Sequence, residues 1–253
     1  MRGHITNRIA AVLAALVLVG AGCTSDTSSE TTQTSAAGTT GDTTTTIAPT
    51  TTAATTGTTA PPTVTASAGL DQAVIDQLTE QIIELIAATE QVRGLPFLTQ
   101  PQVAILTPAE LADRVREDLE AEIDADELAV DTRLLQLLGL LDPGVNLETL
   151  LLDLYSEQVA GFYDGDTGEL VIGGEAADLT PLTKSVIVHE LVHALTDQHF
   201  LFNDDLQALF VEQRYDEGVA FQSLVEGDAT YFQLLYIEQL PLLEQFALAT
   251  EAL

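Results

Sequence analysis

The stretch that most restricts how this chain folds is residues 180–199, TPLTKSVIVHELVHALTDQH. Thr180-Pro181 reads as a helix cap followed by proline in the first turn, and the helix is predicted to run to about Gln198. Ile187, Val188, Leu191, Val192, Ala194 and Leu195 make it apolar on almost every side, so it must be buried. The same helix carries His189, Glu190 and His193. Burying such groups without partners is costly, so a core helix does not carry them by default. The chain has 4 histidines, and three of them, His189, His193 and His199, stand in this window, while His4 lies near the N-terminus.

His189 and His193 are four residues apart, which points both imidazoles the same way on a helix. In H-E-x-x-H, the two histidines hold one metal ion and the intervening glutamate, here Glu190, serves as general base toward water. A catalytic zinc needs a third protein ligand and an open position. His199 is one candidate, six residues after His193, the spacing of the metzincin pattern H-E-x-x-H-x-x-G-x-x-H. Thr196 replaces the glycine at which that chain turns, and Met1 is the sole methionine, which leaves no methionine-containing turn. Glu226, in LVEGDATYF on a later helix, is the other candidate. Gly227 and Ala229 beside it are small and would let the two helices lie close. The expected ligands of one Zn2+ are therefore His189, His193 and Glu226. Asp197, His199 and Asp228 are candidates for places around those ligands, the two aspartates as acceptors that orient the histidines. As solvated acids on a very acidic chain the aspartates read equally well.

GFYDGDTGELVI, VIVHELVHALTDQHF and LVEGDAT resemble successive blocks of a group of bacterial secreted, predicted gluzincin-type zinc peptidases. The likeness covers roughly residues 90 to 240. His199 belongs to that group's D-Q-H-F pattern, so its presence need not imply metal binding. The resemblance implies a zincin-like domain, a peptide or protein substrate, and peptide-bond hydrolysis with Glu190 as base. By position, the hairpin before the active helix matches the zincin edge strand that holds an extended substrate, where backbone hydrogen bonds read any peptide. Members of the group continue well beyond the equivalent of Leu253, so the domain is expected to be C-terminally incomplete. The residue that steadies the oxyanion is left open, either in the part beyond or among Tyr231, Tyr236 and Arg214, of which spacing selects none. The competing expectation is a non-catalytic surface lipoprotein that keeps a zincin-like scaffold as a binding or assembly module. A metal-free helical interaction domain with a chance motif is the weaker third reading.

The chain begins MRGHITNR, continues with the apolar run IAAVLAALVLV, and reaches GAGC. A basic start, a short apolar run and small residues read as an export signal over residues 1–22. The lone cysteine, Cys23, follows directly and resembles the lipidated cysteine of a lipobox, although Gly20 stands where a larger aliphatic is usual. The expected location is therefore extracytoplasmic, anchored to the membrane through Cys23, with plain secretion as the alternative. Residues 23–68 are rich in Thr, Ser and Ala and read as a disordered tether. The folded domain is expected over 69–253. The formal charge is −31, and loss of Arg2 and Arg8 with the leader takes it to −33. A surface so acidic repels nucleic acid, which is excluded as a direct partner.

Within the domain, apolar spacing predicts a helix from about Leu70 that ends at Gly94, then a strand at QVAIL. Thr107-Pro108 caps a helix to about Glu122, another covers Asp126 to Leu138, and Asn146 caps one to about Glu157. Asp164-Gly165-Asp166-Thr167-Gly168 is turn chemistry between two apolar runs and predicts a β-hairpin. Asn203-Asp204-Asp205 reads as a loop, and a long helix is expected from about Asp216 to Leu240. The fold class expected is α+β, mostly helical, with one small sheet.

Overall fold

In the computed structural model the described residues are 61–158, 160–174 and 176–251. The expected signal peptide, Cys23 and residues 23–60 of the tether lie outside them. The chain order is β1 (Thr63–Ala66), α1 (Gln72–Arg93), β2 (Gln102–Leu106), α2 (Pro108–Glu122), α3 (Ala125–Leu137) and α4 (Leu147–Gln158). It continues with β3 (Gly161–Asp164), β4 (Glu169–Gly173), α5 (Pro181–Phe200), α6 (Phe202–Val211), α7 (Tyr215–Gln239) and α8 (Leu242–Glu251). The class is α+β, mostly helical around one small sheet, as the sequence predicts.

The caps explain where the helices begin. Asp71 accepts the amide of Ala73, and Thr107 forms a reciprocal capping box with Glu110. Thr180 accepts the amide of Thr183 at 3.1 Å ahead of α5. Gly94 ends α1 in the left-handed conformation, φ 71°.

The sheet order is β1-β2-β4-β3. β1, β2 and β4 run parallel, and β3 returns antiparallel along β4 as the edge strand of the expected hairpin. Alternate side chains serve opposite faces. Val103, Ile105, Leu170 and Ile172 join the larger core under α1, α5 and α7. Ala104, Val171 and Phe162 join a smaller one with Leu111, Val115 and Leu119 of α2 and Leu152 of α4. Burial on both faces is why VAIL and LVI are unbroken apolar runs rather than alternating ones.

Two expectations are corrected. β1 lies inside residues 23–68, the stretch read as a disordered tether, so ordered structure begins before Gly69. Thr63, Val64 and Thr65 are β-branched and reach the pleated conformation readily, and pairing with β2 supplies what a four-residue strand lacks alone. Residues 203–205 are helical, in α6, rather than a loop. Leu201, at φ 52°, turns the chain sharply between α5 and α6, and Asp204 and Asp205 then fall in the first turn, where the helix dipole favours acids.

Candidate metal centre

α5 packs against β3 and β4 of the sheet and against α7, and the two helices bring the site together. Residues 187–196 of α5 are all buried, including His189 and Glu190 at 1% exposure and His193 at 4%. α7 supplies Glu226, whose carboxylate faces both imidazoles. Its Oε2 lies 3.3 Å from His189 Nε2 and 3.4 Å from His193 Nε2, and the two Nε2 atoms are 3.1 Å apart. Ala229, fully buried, lets the helices approach here. Gly227 does not contribute as expected: it is exposed, and a Cβ added there would meet nothing within 4 Å.

Three donors this close to one another fit a metal ion. Zinc bonds of about 2.0–2.2 Å at tetrahedral angles put neighbouring ligand atoms roughly 3.3–3.6 Å apart. The two imidazole–carboxylate separations, 3.3 and 3.4 Å, fall in that range, and the imidazole–imidazole separation, 3.1 Å, is slightly shorter. A single proton can bridge the two facing ring nitrogens, whereas a cation satisfies both together with the carboxylate. His189, His193 and Glu226 can therefore hold a metal ion. The rings stand edge to face at 83°, so the histidines meet at their nitrogens rather than by stacking.

Glu190 is set apart from the ligands. Its Oε2 accepts the backbone N–H of Tyr163 on β3 at 2.9 Å. Burial pushes its carboxyl up to about 7, against the pull of His189 and the Tyr163 amide. Burial also acts on Glu226, but hydrogen bonds and electrostatic attraction from His189 and His193 outweigh it and hold that carboxyl at about 2. Two carboxyls in one site are thus driven apart, one ready to ligate and one ready to take up a proton near neutrality.

His199 is not with the ligands. α5 continues unbroken to Phe200, and His199 Nε2 donates to the carbonyl of Pro96 at 2.8 Å. Asp197 accepts the amide of Asn203 at 3.0 Å and the hydroxyl of Tyr163 at 3.3 Å, tying β3 to the junction of α5 and α6. Burial pushes its carboxyl up. Asp228 accepts the Thr196 hydroxyl at 3.2 Å and pairs with Arg93 at 3.3 Å, joining α1, α5 and α7. Asp197 and Asp228 therefore brace helices around the site. Tyr236 is buried at 8% within the core, Tyr231 is 57% exposed, and Arg214 is held by Glu212 and Glu217 at the start of α7.

Sequence reasoning did not find Tyr163 or Arg93. The Tyr163 contribution is a backbone amide, which leaves no trace in residue type. Arg93 lies over the Phe232 ring at 4.5 Å, and its pairing with Asp228 spans most of the domain's sequence.

Fold and site together define a mostly helical α+β chain in which two buried histidines and a half-buried glutamate could hold a metal ion. In comparison with known proteins, no family model matches the chain, and neither a curated protein nor a solved structure matches it.

Proposed function

We propose that this chain is a zinc-dependent peptidase of gluzincin type, with a zincin-like fold and a peptide or protein substrate. The observation that carries the reading is the convergence of His189, His193 and Glu226 with a separate, buried Glu190 alongside. Two imidazoles and a carboxylate suit zinc, and a zinc ion held there supplies charge that polarises a carbonyl and makes water more acidic. Glu190 accepts the proton of the attacking water and passes it to the leaving amine. Its carboxyl, raised to about 7, suits a group that both takes and returns a proton. The Tyr163 amide holds it in place.

The edge of the sheet supports a peptide substrate. Gly173 donates to the carbonyl of Ala160 at 3.0 Å, so residues 160, 162 and 164 turn their backbone groups toward β4. Gly161 and Tyr163 then turn theirs outward. The Tyr163 amide reaches Glu190 on that side, so an extended peptide added to β3 would lie beside the base. A lipid-anchored, extracytoplasmic location through Cys23 belongs to the same reading.

The test is zinc content per chain on protein purified without added metal, followed by peptide hydrolysis. About one zinc per chain is expected. Glu190→Gln should keep the zinc and lose hydrolysis about 10²–10⁴-fold, the usual contribution of a general base. A Glu190→Gln protein that hydrolyses peptides as fast as wild type refutes the mechanism. A wild type that takes up no zinc refutes the metal site.

A further inference from the structure

Two groups in the seam between α5 and α7 have complementary needs. His189 Nδ1 is buried without a hydrogen-bond partner among the described residues. Its Nε2 faces Glu226, so Nδ1, across the ring, points away from the three-ligand cluster. An imidazole that binds a metal through Nε2 carries its proton on Nδ1 and donates it to a neighbour that fixes the ring.

The helices run antiparallel through the seam: His193 and His189 lie opposite Glu226, and Ser185 lies opposite Gln233. Ser185 is one turn before His189, and Gln233 two turns after Glu226, so the polar line continues past the cluster. Ser185 is 1% and Gln233 8% exposed. The Gln233 amide donates to Ser185 Oγ at 3.5 Å, and Ser185 donates to the Leu182 carbonyl at 2.8 Å. Gln233 Oε1 accepts no hydrogen bond among the described residues. Val225, Ala229 and Tyr236 are the other buried side chains of α7 that a helix face of this kind would fill with apolar groups. Gln233 instead brings an amide to that face, with an acceptor free to meet water.

We propose that Gln233 is a positioning residue for His189, taking up its Nδ1–H through one ordered water held between His189, Gln233 and Ser185. The water accepts from His189 Nδ1–H and donates to Gln233 Oε1 and to the free lone pair of Ser185 Oγ. That gives it the roughly three hydrogen bonds usual for a buried water. The orphaned donor and the idle acceptor are both satisfied, and the imidazole is locked with Nε2 toward the metal. This inference rests on the metal-site reading above.

Zinc affinity of the full chain, measured by competition with a chromophoric chelator, tests it. Gln233→Leu should bind zinc about 10–100-fold more weakly. Gln233→Glu, which restores an acceptor, should recover most of the loss. In long-range ¹H–¹⁵N spectra of the zinc-loaded protein, the His189 Nδ1 proton should be protected from exchange in wild type and exposed in Gln233→Leu. The metal-free Gln233→Leu protein should unfold no earlier than wild type, since an apolar side chain replaces a buried amide. Thr230 carries another polar side chain on α7, one turn beyond Glu226, and Thr230→Val should leave affinity unchanged. Equal affinity of wild type and Gln233→Leu, failure of Gln233→Glu to rescue, or a loss carried by Thr230→Val instead overturns the role of Gln233 while the metal site stands. A wild type that takes up no zinc refutes the metal site itself.

Discussion

Between the sheet and α2–α4 the core is apolar: Ala104, Leu111, Val115, Leu119, Leu152, Phe162 and Val171. The buried charge at its margin, Asp164, pairs with Arg114 at 2.9 Å and accepts amides of its own turn. On the opposite face, α1, α5 and α7 enclose a larger core in which Ser185, His189, Glu190, His193 and Gln233 are buried together. One layer holds the fold by removing apolar area from water. The other packs a larger apolar core and adds buried polar groups to it, among them the two histidines that could hold a cation. The difference separates a layer that is apolar throughout from one that also buries the group able to hold a metal ion.

Substitutions can break that division. Leu111→Ala in the apolar layer should cost about 2–5 kcal/mol by leaving a cavity, with zinc affinity unchanged. Denaturant unfolding in chelator and zinc titration of the same protein check both halves; coupled losses would show that the layers are not independent. Next in size is the metal itself. Zinc at 100 times its dissociation constant should stabilise wild type by about 2.7 kcal/mol, and Glu226→Ala should lose that gain. Equal melting temperatures with and without zinc would argue against metal binding in this layer.

His199→Ala should retain zinc and lose about 0.5–1.5 kcal/mol, the net worth of its bond to the Pro96 carbonyl. Lost zinc would restore His199 as a ligand. The smallest effect belongs to Glu110, an exposed capping residue whose carboxyl is lowered by hydrogen bonds from Ser67 and Thr107. A carboxyl lowered in the folded state stabilises it above the ordinary carboxylate range and ceases to do so as pH falls through its folded value. Glu110→Gln should therefore melt slightly below wild type at pH 7 and together with it in strong acid. A gap that persists in acid would assign the effect to something other than ionisation.

Much of the architecture is legible in local sequence because it is set within a few residues. Thr107-Pro108 and Thr180-Pro181 satisfy amides three positions beyond each threonine, and Asp164 to Gly168 closes its own turn. β1 is missed because four residues of Thr63–Ala66 carry too little pattern, and pairing with a strand some forty residues away decides it. α6 is missed because Asn203, Asp204 and Asp205 have the same composition in a loop as in a helix's first turn.

The sequence by itself determined that His189 and His193 share a face of a helix that must be buried, with Glu190 beside them. Helix periodicity and the cost of burying polar groups suffice for that. Thr196 in place of glycine and the small residue Ala229 also favoured Glu226 over His199. In the tertiary structure Glu226 does meet the histidines, where α7 crosses α5, and α5 runs straight through Thr196. Only the tertiary structure decided that Asp197 and Asp228 brace helices, that a Tyr163 amide holds Glu190, and that Gln233 lies level with Ser185. Each of these joins elements distant in sequence. Such contacts are set by packing of whole faces, which no short stretch of residues encodes.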